Sequence, residues 1–183
     1  MTVRPAAPGP SGTSVDTAAM IRVDQAGEYG AVRIYAGQMA VFGARNSRSA
    51  DAIRHMAKQE DEHLARFSTL IAERGVRPTV LQPLWQVAGF ALGAATALMG
   101  EHTAMACTEA VEEVIDDHYA AQVTALGDSD PDLKATIEKF RADEIVHRDT
   151  AIAHGSEKAF GHTLLTAAIK QGCKLAIALS TRM

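Results

Sequence analysis

A glutamate followed thirty-two residues later by Glu-x-x-His occurs twice in this 183-residue chain: Glu28 with Glu60 and His63, then Glu112 with Glu144 and His147. A shift of eighty-four residues overlays all three positions. Glu and His three residues apart on an α-helix lie about 60° apart around the axis and one turn apart along it, so both side chains can reach one ion. Two such helices, with two more that each supply a single Glu, carry the ligand set of carboxylate-bridged di-iron bundles. The pattern predicts an all-α fold built from a duplicated helical hairpin, with Glu28, Glu60, His63, Glu112, Glu144 and His147 as metal ligands. A lone Glu-x-x-His is common on solvated faces, but two copies in register are much harder to explain that way. Oxygen-rich sites with one imidazole per metal suit iron or manganese better than zinc or copper.

The length and the 47% apolar content fit one domain with a substantial core, expected over residues 14–183. A net charge of −4 with scattered Lys and Arg argues against a nucleic-acid partner. Cys107 and Cys173 are far apart, so neither a disulfide framework nor a cysteine metal site is indicated, and a reducing compartment fits. Residues 1–13 hold three prolines and two glycines and read as a flexible tail rather than a signal peptide.

The first helix is expected to open at Ser14 or Asp16 and to reach Phe42, with Glu28 on the apolar stripe of Ala31, Val32 and Tyr35. Gly27 and Gly30 beside Glu28 imply close packing or open room there. The second helix should start between Ser47 and Asp51 and end at Gly75. On it Glu60 shares a face with His63, whereas Glu62, about 100° away from that histidine, and His55 belong to the solvated side. Residues 78–100 are uncharged. They read as a membrane span, a buried helix, or an interfacial segment with Trp85 at headgroup level. That helix is expected to run unbroken through Glu101 to Leu126, so a span would strand the ligands that follow, and it is rejected. Gly89 and Gly93 permit close helix approach. Of Glu109, Glu112 and Glu113, only Glu112 fits the repeat. Tyr119 follows it as Tyr35 follows Glu28, and each taken alone reads as a core residue.

Ser129-Asp130-Pro131 starts the next helix, which should reach His154, with Asp143 as either an acceptor for a ligating histidine or a solvated acid. Ser156 is expected to cap the last helix. Its apolar stripe runs from Leu165 through Ile169 and Gly172 to Leu179, with Lys170 and Lys174 opposite. It reads equally as a helix packed on the bundle or as a membrane-surface helix paired with the Trp85 segment.

Residues 20–42 (MIRVDQAGEYGAVRIYAGQMAVF), 85–93 (WQVAGFALG), 104–113 (AMACTEAVEE) and 139–147 (KFRADEIVH) resemble the Coq7 family, and the resemblance extends from residue 16 to the C-terminus. That family consists of demethoxyubiquinone hydroxylases, a membrane-associated branch of the ferritin-like di-iron proteins. The resemblance implies a ferritin-like four-helix di-iron bundle binding two iron ions, Glu60 and Glu144 bridging them. It further implies O2 as co-substrate, and a polyprenylated demethoxyubiquinol ring hydroxylated in ubiquinone biosynthesis. His118 and Tyr119 would belong to the outer shell of the site. Residues 81–100 and 157–180 would be membrane-interface segments, placing the protein peripherally on the cytoplasmic side of a bacterial cell membrane. A homo-oligomer, a ubiquinone-biosynthesis complex and a lipid-binding partner are all compatible with it, and NADH and the quinol itself stay open as reductant. A ferritin or rubrerythrin type of iron-oxidising or peroxide-scavenging protein would carry similar ligands, although the apolar segments and the lack of a cysteine-rich module speak against it. A quinone-pathway assembly factor with vestigial metal would not need complete ligands in both halves.

Overall fold

A computed structural model describes residues 15–43 and 47–183. The expected tail and Ser14 lie outside the described residues. Among the described residues six α-helices follow one another: α1 (Thr17–Phe42), α2 (Arg48–Glu73), α3 (Gln82–Leu98), α4 (Glu101–Leu126), α5 (Pro131–Ala153) and α6 (His162–Arg182), with a 3₁₀ turn at Ser156–Lys158. Local capping chemistry sets the starts of α1, α2 and α5. Asp16 accepts from the Ala19 N–H, Ser47 from that of Ala50, and Asp130 from that of Leu133, each satisfying a backbone donor that the first turn leaves unpaired. Pro131 occupies the first turn of α5, where its missing N–H costs nothing.

Helices α1, α2, α4 and α5 enclose two apolar clusters. One gathers Tyr35, Phe42, Ile53, Met56 and Met105; the other gathers Ile21, Phe67, Leu126, Ile137 and Phe140. Residues eighty-four apart fall in opposite clusters, as Phe42 and Leu126, Met56 and Phe140, and Met105 and Ile21 do. The duplicated hairpins are thus related by a pseudo-two-fold. Each fully buried side chain of this size contributes about 1.5–3 kcal/mol, which is what allows polar groups to be held between them.

Two expectations are corrected. The helix predicted to run unbroken into Leu126 is interrupted at Met99–Gly100, where Gly100 takes φ 121°, a conformation only glycine adopts readily. The break frees α3 to lie along α1, where an added Cβ on Gly93 would fall 1.9 Å from the Ile34 carbonyl oxygen and one on Gly89 2.9 Å from that of Gly30. The ligand-bearing helix is therefore not continuous with the uncharged segment, and the ground for rejecting a span changes: among the described residues no helix is long and apolar enough to cross a membrane. Ser156 does not cap the last helix. It starts the 3₁₀ turn, and α6 begins only after Gly161, which adopts φ 65°. Lys170 reaches Glu113 on α4 at 2.6 Å. Leu175, a member of the apolar stripe of α6, is exposed.

Candidate metal centre

The six residues of the repeated pattern meet in the middle of the bundle, none more than 2% exposed. Two groups form there: Glu28, Glu60, His63 and Glu144, and Glu60, Glu112, Glu144 and His147, each with candidate ligand atoms within 4.8 Å of one another. Glu60 and Glu144 belong to both. His63 Nδ1 lies 3.1 Å from Glu144 Oε1 and 3.7 Å from Glu28 Oε2. His147 Nδ1 lies 3.0 Å from Glu60 Oε1 and 3.1 Å from Glu144 Oε2. Both imidazoles therefore turn Nδ1 inward.

A second ring of side chains follows the same pseudo-two-fold. Tyr35 donates to Glu112 at 2.7 Å, and Tyr119, its mate in the other half, donates to Glu28. His63 Nε2 lies 3.2 Å from Asp143, and His147 Nε2 lies 3.2 Å from Gln59, again mates. Asp143 is thus the acceptor for an inward-facing histidine rather than a purely solvated acid. Symmetry fails around His118, whose counterpart is Ile34. His118 Nε2 is 3.2 Å from the buried Asp24, to which Gln122 also donates at 2.8 Å. Tyr119 therefore touches one of the six, whereas His118 touches none of them directly among its described hydrogen bonds.

Four carboxylates in one water-poor space repel one another. Burial, and then the charge of Glu144, pushes Glu60 and Glu112 well above the usual carboxylate range. Burial also acts on Glu144, but the hydrogen bond with His147 and the adjacent His63 imidazole hold it at about 2. The Glu144 and Glu28 carboxylates beside Nδ1 overcome burial and lift His63 to about 10. Burial and the nearby carboxylates raise Tyr35 and Tyr119, so both remain protonated donors. Both oxygens of Glu60, one oxygen each of Glu28, Glu112 and Glu144, and Nδ1 of His63 lack a hydrogen-bond partner although buried. Unpaired buried carboxylate oxygens converging from four helices fit divalent cations, which would neutralise the charge and complete the missing contacts.

The alternatives on the same helices go elsewhere. Glu62 and His55 are exposed, Glu109 lies 3.0 Å from His162, and Glu113 pairs with Lys170. Gln59, Asp24 and Gln122 were not anticipated. Extending the eighty-four-residue shift to flanking positions finds the first and last, because it pairs Gln59 with Asp143 and Gln38 with Gln122. Asp24 maps onto Thr108 and gives no such signal.

On the far side of α1 and α4 an apolar groove of about 550 Å³ is enclosed by α3 and α6, with Ile34, Leu92, Val111, Ile115 and Ile169 among its walls. Gly27 and Gly30 line it, and a Cβ on either would meet nothing within 4 Å. These glycines leave room, whereas Gly89 and Gly93 provide close contact. Trp85 closes one end by donating to Ser180 at 3.0 Å, so its indole stitches α3 to α6.

Four helices surrounding two overlapping carboxylate–histidine groups define a ferritin-like helical bundle that could hold two metal ions. The family model described as "Ubiquinone biosynthesis protein COQ7" matches residues 16–180, and the chain belongs to that family. It is 57% identical over 163 residues to the 3-demethoxyubiquinol 3-hydroxylase of Rhodospirillum rubrum, covering 89% of this chain and 76% of that protein. It is 50% identical over 168 residues to the mitochondrial NADPH-dependent 3-demethoxyubiquinone 3-hydroxylase of Homo sapiens, covering 90% and 76%. It is 44% identical over 173 residues to the mitochondrial 5-demethoxyubiquinone hydroxylase of Saccharomyces cerevisiae, covering 86% and 74%.

Proposed function

We propose that this chain hydroxylates the ring of a polyprenylated demethoxyubiquinol in ubiquinone biosynthesis, using two irons and O2. The observation that carries this reading is the apolar groove seated against the helical turns that bear Glu28 and Glu112. Glu28 and His63 would hold one iron, Glu112 and His147 the other, and Glu60 and Glu144, common to both groups, would bridge them. When bound, the irons supply O2 activation, with electrons drawn from a reduced nicotinamide or from the quinol. The chain's own part is to orient and to exclude water. Tyr119 and Tyr35 fix the outer oxygens of Glu28 and Glu112, leaving the other oxygens free to face the irons. The groove walls are almost wholly apolar, so a ring held there is shielded from water and kept beside the site.

A polyprenyl tail loses about 0.8 kcal/mol for each CH₂ brought into water, so the ring should be taken up from a lipid surface. Supporting that, Phe160 (94% exposed), Leu164 (79%) and Leu98 (75%) project around α3 and α6, together with Val87 and Met99. The reading is of a protein resting peripherally on the cytoplasmic side of a bacterial membrane through residues 81–100 and 157–180, and these exposed apolar side chains support it.

Anaerobically reduced, iron-loaded protein given a demethoxyubiquinol analogue and then ¹⁸O₂ should yield a ring-hydroxylated product with one labelled oxygen. Rapid O2 consumption giving only water or ferric mineral would sink the hydroxylase reading in favour of storage or scavenging. For the membrane, Phe160→Glu and Leu164→Glu should weaken flotation with liposomes without loss of helicity. Equal flotation of wild type and both variants would remove the interfacial role.

A further inference from the structure

The six candidate ligands and the two tyrosines obey the pseudo-two-fold, but the partners of the two histidines do not match in charge. Both Nε2 contacts measure 3.2 Å, yet the acceptor on His63 is the carboxylate of Asp143 and the acceptor on His147 is the amide oxygen of Gln59. Distance is thus equal and charge is the variable. A carboxylate behind an imidazole makes the opposite ring nitrogen a stronger donor and adds negative charge near the cation, whereas an amide oxygen only orients the ring. Asp143 is 31% exposed and meets His63 at the ring nitrogen turned away from the buried centre, where it adds charge without occupying the metal position.

From this mismatch we infer that the two metal positions are unequal by construction: the one built on Glu28 and His63 fills first and holds its ion more tightly, and Asp143 is the positioning residue responsible. The inference rests on the two-metal reading proposed above. Removing a partner of this kind typically costs 10–100-fold in metal affinity, which sets the scale of the difference.

The test is anaerobic calorimetric titration of Fe²⁺ into metal-free protein. Two ions sharing bridging carboxylates repel each other, so two binding steps arise even from equal positions; what decides is which step each variant moves. Asp143→Asn keeps an acceptor and removes the charge, and it should weaken the first step by about 10–100-fold. If the positions were equal, or the His147 position filled first, that variant would leave the first step unmoved and weaken the second, which would overturn the inference. Gln59→Glu is the independent arm, read by the same titration should Asp143→Asn prove unfolded by circular dichroism. It should tighten the second step and leave the first unmoved; tightening of the first step would equally overturn the inference. Fewer than two ions bound by wild type would remove the metal reading itself, and the inference with it.

Discussion

Glu60 and Glu62 lie two residues apart on α2, and the 3.6-residue helical period sends them to different worlds: Glu60 is fully buried between four helices and Glu62 is exposed. Replacing Glu60 or Glu144 by Ala should lower bound iron below two per chain, measured by metal analysis of the reconstituted protein. Glu62→Ala and Glu113→Ala should stay at the wild-type level. If the exposed pair lost iron and the buried pair kept it, the face assignment would be wrong. The tyrosines permit a finer comparison. Tyr119→Phe leaves a buried oxygen of Glu28 without its donor and should cost about 1–3 kcal/mol in thermal unfolding of the metal-free protein. Tyr35→Phe should cost a similar amount, because Glu112 loses the same contact.

At the level of helices, two pairs of glycines, Gly27 with Gly30 on α1 and Gly89 with Gly93 on α3, serve opposite purposes. Gly93 sits where α3 crosses α1, and a methyl there would overlap the Ile34 backbone, which a rigid helix pair cannot yield without shifting. Gly93→Ala should therefore destabilise by at least about 1–3 kcal/mol, read as a lower unfolding midpoint. Gly27 borders the groove and has open space, so Gly27→Ala should be neutral or stabilising by up to about 1 kcal/mol through helix propensity. Its cost should be functional: the methyl intrudes on the groove and should raise KM for a quinol substrate more than it lowers kcat. A Gly27→Ala variant that unfolds more readily would contradict the open geometry.

For the whole molecule, the buried charge makes metal-free stability depend on pH in a defined direction. Glu60 and Glu112 have folded pKa values raised by burial and by Glu144, and His63 stands at about 10 against an ordinary 6.5. In each case the folded chain binds protons that the unfolded chain has released. The stabilisation from His63 is complete below about pH 6.5 and is lost as pH rises through 10; the two glutamates act in the same direction from about pH 4.5 upward. Glu144, held at about 2, varies only below that window. Thermal unfolding of chelated protein should therefore fall steadily from pH 5.5 to 9, by about 1.4 kcal/mol per pH unit for each proton held only when folded. Divalent metal bound there would substitute for those protons, so the loaded protein should be more stable and should lose most of the slope. Rising stability of the chelated form across the same range would refute the charge assignment.

Sequence alone determined what depends on period and on repetition. A three-residue spacing puts Glu and His on one helical face, an eighty-four-residue shift pairs two hairpins, and those facts suffice to bring Glu28, Glu60, His63, Glu112, Glu144 and His147 to one place. Caps at Asp16, Ser47 and Asp130 were legible for the same reason, since they act within four residues. Tertiary structure decided what depends on contacts between segments remote in the chain. Nothing local shows that Gly100 turns the chain between α3 and α4, because glycine permits the turn without requiring it. Nor does local pattern show that Asp24 meets His118, that Lys170 reaches Glu113, or that Asp143 and Gln59 each back the histidine of the opposite hairpin. Those partners lie fifty-seven to ninety-four residues apart, and only the packing of separate helices against one another brings them within hydrogen-bond reach.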